Sequence, residues 1–133
     1  NVLQNIKNPV AIVGYDLFPT MAELSGSSVS LPANLDGQSI VPLLLGNSFT
    51  REKPIYFHSP HYDNNANKKP SSALVDGTNK LMVNYETGKI ELFDLVIDIG
   101  ETTDVSASQA IYTRELTIKL RDYLKEVNAS CQL

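Results

Sequence analysis

The segment NKLMVNYETGKIELFDL, residues 79–95, contains two short runs in which large apolar residues alternate with more polar ones. The apolar members are Leu81, Val83, Tyr85, Ile90 and Leu92. A period of two is typical of β-strands that bury one face. Thr87-Gly88 between the runs predicts a two-residue hairpin loop, which would place Glu86 opposite Lys89.

Two further runs rich in β-forming residues precede this hairpin. They are KPIYFHS, residues 53–59, and SSALVDG, residues 71–77, and Asp76-Gly77 supplies the turn before residue 79. Short turns between successive strands favour antiparallel neighbours. The sequence therefore predicts an antiparallel meander of three or four strands.

Residues 106–127 predict one long helix, and Ser106 followed by Gln109 matches a capping box. The apolar residues at helical spacing are Tyr112, Leu116, Leu120, Tyr123, Leu124 and Val127. Because such a stripe needs an apolar partner, we expect the helix to pack across the sheet. The predicted fold class is α+β: a small antiparallel sheet of three to four strands packed against a long C-terminal helix.

The first fifty residues have a different character, with short helices between loops. One helix is expected from Asp16 to Ser25 and another from Ile40 to Leu45. The residues expected to share a buried face of the first helix are Leu17, Met21 and Leu24. These helices find few partners in the chain itself, so we expect two parts, 1–50 and 51–133, of which the first packs on another structure.

Composition narrows the classes of function. The chain has 133 residues, 42% of them hydrophobic, and a net charge of −4, which is ordinary for a soluble globular domain. It shows no Lys/Arg stripe, so we expect no nucleic-acid partner. Its longest apolar run, residues 40–46, is too short for a membrane span. The single cysteine, Cys131, has no second cysteine to pair with and no cysteine-based metal site to join.

Both histidines lie in YFHSPHYDNN, residues 56–65. A metal site would need His58, His61 and a third ligand, and only Asp63 is near, without a recognisable spacing. Binding residues concentrate on loops that leave a rigid scaffold, which favours a substrate-contacting loop. Half-buried or surface histidines without a ligand are the remaining interpretation.

The acidic segment DLVIDIGETTD, residues 94–104, superficially resembles a calcium loop but lacks the D-x-D-x-D-G pattern with its closing Glu. We expect a solvated connector whose carboxylates lie ahead of the last helix, where its dipole favours them. No serine lies in a G-x-S-x-G motif. The sequence therefore predicts no catalytic and no metal-binding residue.

Five stretches, in order, resemble the C-terminal end of bacterial sulfatases of the arylsulfatase family. They are VGYDLFPTMAELSG (13–26), LPANLDGQSIVPLLLGN (31–47), REKPIYFHSPHY (51–62), the strands and connector of 71–106, and LTIKLRDYLKEV (116–127). The resemblance covers nearly the whole chain and implies membership of the alkaline-phosphatase-like superfamily. It also implies that residues 1–50 are the end of a large α/β sulfatase domain and that residues 51–133 are the C-terminal subdomain.

In such a parent enzyme the large domain holds calcium and a formylglycine made from a C/S-x-P-x-R motif. That motif is absent here, so we expect a C-terminal portion without cofactor of its own and inactive alone. Its expected partners are the N-terminal catalytic domain of the same parent chain and a sulfated carbohydrate or aryl sulfate. The resemblance places the H-x-P-H-Y loop near the cleft, which makes His58, His61 and Tyr62 the predicted substrate-binding residues.

The family's usual location implies a periplasmic or secreted parent, although no signal peptide is visible in this sequence. Two other functions stay open at this point. One is a stand-alone carbohydrate-binding or interaction module. The other is the C-terminal part of a related phosphodiesterase.

Overall fold

A computed structural model describes residues 8–26, 30–62 and 69–130. The chain divides into two compact units, Asn1–Lys53 and Pro54–Leu133, called unit 1 and unit 2 below. Within the described ranges, none of the helices has the length and apolar character of a membrane span.

Unit 2 is a four-stranded antiparallel sheet, in the order β1-β2-β3-β4, with one long helix. Its elements are β1 (Ile55–Ser59), β2 (Ser71–Asp76), β3 (Asn79–Asn84), β4 (Ile90–Asp94) and α3 (Ala110–Glu126). Unit 1 contains a 3-10 turn (Gly14–Asp16) and the helices α1 (Leu17–Leu24) and α2 (Val41–Leu44). The predicted α+β class, with its meander and its C-terminal helix, is confirmed.

The core of unit 2 is a layer of leucines between one face of the sheet and α3. Its members are Leu74, Leu81, Val83, Leu92, Leu116, Leu120 and Leu124. All of them are at most 2% exposed, and burying a side chain of this size stabilises the fold by roughly 1.5–3 kcal/mol. The predicted helical stripe therefore meets the predicted apolar sheet face.

The start of α3 differs from the prediction. The helix begins at Ala110, not at 106, and no side chain caps it at Gln109. Residues 106–109 form a turn instead, and the Thr113 hydroxyl donates to the carbonyls of Ser106 and Gln109, at 3.2 and 3.0 Å. The predicted capping box is therefore wrong, and Val127 lies half-exposed beyond the end of the helix.

The hairpin between β3 and β4 also differs from the predicted two-residue loop. The strands are joined by five residues, 85–89, because the Asn84 side-chain oxygen accepts bonds from the backbone N–H groups of Glu86 and Thr87, both at 3.0 Å. Gly88 closes the turn with a positive φ of 67°, a conformation that suits glycine. The ion pairs of this loop are Lys69 with Glu86 and Lys89 with Glu91, so the expected Glu86–Lys89 pair is wrong.

The carboxylates of the connector 94–104 form hydrogen bonds both within the connector and with the sheet. Asp98 accepts two backbone hydrogen bonds from the residues that follow it, at 2.7 and 2.8 Å. Asp104 accepts from the backbone N–H of Leu92 at 3.1 Å, and the Val105 N–H donates to the Leu92 carbonyl at 2.8 Å. The connector therefore covers the outer edge of β4, which an open sheet would leave unpaired.

A buried carboxylate organises unit 1. Asp16 is fully buried and accepts hydrogen bonds from the backbone N–H groups of Val13 and Gln38, at 2.9 and 3.0 Å. It also forms an ion pair with Arg51, whose Nε donates to the carbonyl of Ala11 at 3.2 Å. Burial alone would raise the pKa of Asp16, but the bonds from Gln38, Val13 and Arg51 outweigh it and hold the pKa below its usual value.

This polar arrangement sets the orientation of α1. Thr20 donates its hydroxyl to the Asp16 carbonyl at 2.6 Å and accepts from the Ile40 N–H at 3.0 Å, so Asp16 and Thr20 face inward. The face predicted to be buried is therefore turned outward, and each of its side chains is more than half exposed. Those side chains are Leu17, Met21 and Leu24, and Phe18 beside them is exposed as well.

Gly37 lets the Gln38 N–H reach the Asp16 carboxylate. A Cβ atom at position 37 would lie 2.3 Å from the carbonyl oxygen of Tyr15, closer than any real Cβ contact. Because that oxygen belongs to the backbone, the loop itself would have to move. A Cβ at Gly14, in the same unit, meets nothing within 4 Å.

We predict that Gly37→Ala destabilises unit 1 by roughly 1–3 kcal/mol, the usual cost of overpacking. Hydrogen exchange at the Gln38 and Ile40 amides, followed by NMR in the 133-residue chain, measures this directly because both protons are bonded across the unit. Gly14→Ala is the control and should leave both rates within about twofold of wild type. Equal rates for the two variants would contradict the close approach at residue 37.

Candidate functional site

His58 lies on the face of the sheet that packs against α3. It follows Tyr56 by two residues in β1, so both side chains point to the same face. Tyr56 stacks on Tyr123 of α3, with ring centroids 3.8 Å apart and planes 5° from parallel. Pairing of β1 with β2 sets His58 opposite Ser72. The histidine is therefore held by the sheet and is not part of a free loop.

His58, Ser72 and Tyr85 form a compact polar cluster, called the His58 cluster below. The Ser72 hydroxyl oxygen lies 2.7 Å from His58 Nδ1 and 2.7 Å from the Tyr85 hydroxyl. The Tyr85 ring stands edge-on to the imidazole, with centroids 6.1 Å apart and planes at 82°. Ser72 is 2% exposed, so its hydroxyl depends on these two partners for hydrogen bonding.

Two proton arrangements satisfy this cluster. In the first, Tyr85 donates to Ser72 and Ser72 donates to Nδ1, which leaves the proton of neutral imidazole on Nε2. In the second, Nδ1 donates to Ser72 and Ser72 donates to Tyr85, which leaves Nε2 as an acceptor. In both, Nε2 is buried and has no hydrogen-bond partner among the described residues. This ring atom is the unused polar group of the cluster.

His61 and Tyr62 lie beyond the end of β1, and both are exposed. Tyr62 exposes 62% of its surface, and neither side chain forms a hydrogen bond with another described residue. No described contact joins His58 to His61, so the structure separates the two histidines into a half-buried one and an exposed one. Asp63, the third ligand considered for a metal, lies outside the described residues.

The described residues offer no metal site for the calcium ion that the resemblance implies, and the sequence offers no motif for its formylglycine. Among the described ranges, no group of three or more His, Cys, Asp or Glu side chains could hold a metal ion. The sequence also has no C/S-x-P-x-R motif from which formylglycine could be made. A calcium ion or a formylglycine would therefore need residues from another part of a longer protein.

Sequence reasoning identified His58 but missed Ser72 and Tyr85. The three residues meet because of the strand register. Ser72 pairs with His58 of β1 and with Val83 of β3, and Val83 lies two residues before Tyr85. One available signal was Ser72 itself, a small polar residue two positions before the inward-facing Leu74 and therefore on the same face of β2. It predicts a buried hydroxyl that needs partners on the adjacent strands.

Comparison with known proteins first places the fold among sulfatases. The structure of a 2-O GAG sulfatase aligns with 86% of this chain and 25% of its own, with a TM-score of 0.65 and 24% sequence identity. A sulfatase from Formosa agariphila is 32% identical over 120 residues, which are 83% of this chain and 22% of that protein. Arylsulfatase K from Mus musculus is 29% identical over 135 residues, 95% of this chain and 24% of that protein.

The sequence model of the family "N-sulphoglucosamine sulphohydrolase, C-terminal" matches residues 2–130. The chain belongs to this family, and the resemblance to the C-terminal end of sulfatases is confirmed. The chain spans about a quarter of the length of the relatives it matches.

We predict that Ser72→Ala destabilises unit 2 by roughly 1–3 kcal/mol, since it leaves His58 Nδ1 without its closest hydrogen-bond partner. Urea unfolding of the 133-residue chain, followed by circular dichroism, measures the change. Ser71→Ala is the matched control: Ser71 is its neighbour in β2, points to the opposite face and is only half-buried. Its effect should stay within about 0.5 kcal/mol. Equal midpoints for the two variants would contradict the cluster.

Proposed function

We propose that this chain is the C-terminal portion of a sulfatase, an enzyme that hydrolyses the sulfate esters of glycans or of aryl sulfates. The observation that carries the proposal is the family match over residues 2–130, together with the two sulfatase relatives. The related structure of a 2-O GAG sulfatase favours a sulfated glycan as the substrate class. Calcium and formylglycine would be supplied by the rest of the parent enzyme.

In this proposal, residues 1–50 are the end of the N-terminal sulfatase domain and residues 51–133 are the C-terminal subdomain. The partner is the N-terminal catalytic domain of the same parent chain. Support comes from the exposed side chains of α1, because four large apolar residues on one short helix are unusual for a finished surface. A catalytic domain packed on α1 would remove them from water. We place the parent in the periplasm or outside the cell, where the enzyme would encounter sulfated glycans.

The contribution of unit 2 to this function is a substrate contact at the end of β1. His61 and Tyr62 are exposed, and imidazole and phenol groups donate hydrogen bonds to sugar hydroxyls. An aromatic ring such as that of Tyr62 also packs on the apolar face of a sugar. Nε2 of His58 is buried, so a substrate reaches His61 and Tyr62 first. His58 would then take part by fixing the strand from which these two residues project.

We predict that His61→Ala combined with Tyr62→Ala in the full-length parent lowers kcat/KM for a sulfated oligosaccharide by about tenfold. The physical reason is the loss of one or two hydrogen bonds worth roughly 1 kcal/mol each. The fall should appear mainly in KM, with little change for a small aryl sulfate that does not extend to residue 62. Steady-state kinetics with both substrates measures the difference.

Ile111→Ala is the control, because Ile111 lies on α3 and is 81% exposed. It should change neither substrate's kinetics. Unaltered kcat/KM for the oligosaccharide in the double variant would refute the substrate contact, while leaving membership of the family intact.

A further inference from the structure

An open groove of about 500 Å³ runs along α3 of unit 2. Two arginines, three hydroxyl-bearing residues and four apolar residues line it, and no carboxylate does. Arg114 and Arg121 lie along its length, and Ile90 and Ile118 contribute to its apolar surface. In a chain of net charge −4, a groove with two positive charges and no negative one is a local exception.

The two arginines are available to a ligand. Arg114 forms no ion pair with any residue in the described ranges. Among the described residues, the side chain of Arg121 forms hydrogen bonds only with its neighbour Asp122, at 3.4 and 3.5 Å, and the Arg121 side chain is 41% exposed. Contacts this long between exposed groups contribute little. By contrast, Lys80 and Lys119 of the same unit each hold a carboxylate at 2.7 Å.

Two of the three hydroxyl groups of the groove are already engaged. Thr113 donates to the Gln109 carbonyl at 3.0 Å, and Thr117 donates to the Thr113 carbonyl at 2.7 Å. Their oxygens therefore offer no proton to a ligand. The guanidinium groups of Arg114 and Arg121 are the principal donors, and their planar forks suit the oxygens of a sulfate or carboxylate. The groove thus favours an anion over a neutral sugar hydroxyl.

The distance between the two arginines further restricts the class of ligand. Arg114 and Arg121 are seven residues apart on one helix, which is two turns or about 10 Å along its axis. A ligand that engages both must carry two anionic groups at a similar separation, with apolar atoms between them to cover Ile90 and Ile118. A chain of sulfated sugar rings has these properties.

We propose that this groove is a binding site for a sulfated saccharide chain, in addition to the contact at His61 and Tyr62. The proposal rests on the proposed function, which supplies a substrate with repeated sulfates. Arg114 and Arg121 bind two sulfate groups of one chain, and the apolar surface between them packs on sugar C–H groups.

The test uses the full-length parent and a heparin hexasaccharide as the probe, with calorimetry as the readout. Arg114→Ala combined with Arg121→Ala should weaken binding of the hexasaccharide by about tenfold. The double variant should hydrolyse 4-nitrophenyl sulfate at the wild-type rate, because that ester carries one sulfate and no chain that could span the two arginines. Lys125→Ala removes one positive charge from the same helix outside the groove and should weaken binding less than twofold.

Three outcomes would overturn the site. The hexasaccharide could bind the double variant as tightly as wild type, or Lys125→Ala could weaken binding as much as the arginine pair, which would indicate general charge attraction. The double variant could also lose thermal stability with unchanged binding, which would mean that another part of the parent covers the groove. Binding is measured without turnover, so an enzyme that releases no sulfate would refute the proposed function and still leave the groove testable.

Discussion

The leucine layer between α3 and the sheet is the interaction on which unit 2 depends. A small antiparallel sheet gains independent stability only when an apolar face is covered, and Leu116, Leu120 and Leu124 provide that cover. The same contact positions the functional groups. Tyr56 reaches α3 by stacking on Tyr123, and His58, two residues further along β1, meets Ser72 and Tyr85 on that face. The His58 cluster therefore belongs to the same sheet face that the helix covers.

Unit 1 is built on a different principle, a buried carboxylate in place of an apolar layer. An eight-residue helix such as α1 is marginal by itself. Asp16 ties it to Gln38 and Arg51, which lie 22 and 35 residues further along the chain. This arrangement leaves the apolar side of α1 outward. A unit organised by a buried carboxylate, with the apolar side of α1 exposed, fits the proposal that a larger domain completes it.

The sequence predicted what depends on local periodicity. The alternation in 79–95 and the leucine spacing of α3 gave the sheet and the helix, and the order of five motifs gave the family. The sequence did not predict the length of the hairpin loop, where the Asn84 side chain binds two backbone N–H groups. It also did not predict contacts between residues that are distant in the chain. The sequence predicts Asp16 only as the start of a helix, because no local pattern indicates that residues 38 and 51 approach it. His58 could be proposed from its loop, whereas Ser72 and Tyr85 required the strand register.

In the proposed function, the protein that contains this chain cleaves sulfate esters, and His61, Tyr62 and the α3 groove bind the substrate without taking part in the chemistry. Free sulfate, quantified by ion chromatography after incubation of the full-length parent with a sulfated saccharide, tests this most directly. We expect sulfate release by the parent and none by the 133-residue chain alone. Cleavage of a phosphodiester without release of sulfate, or sulfate release by the isolated chain, would contradict it.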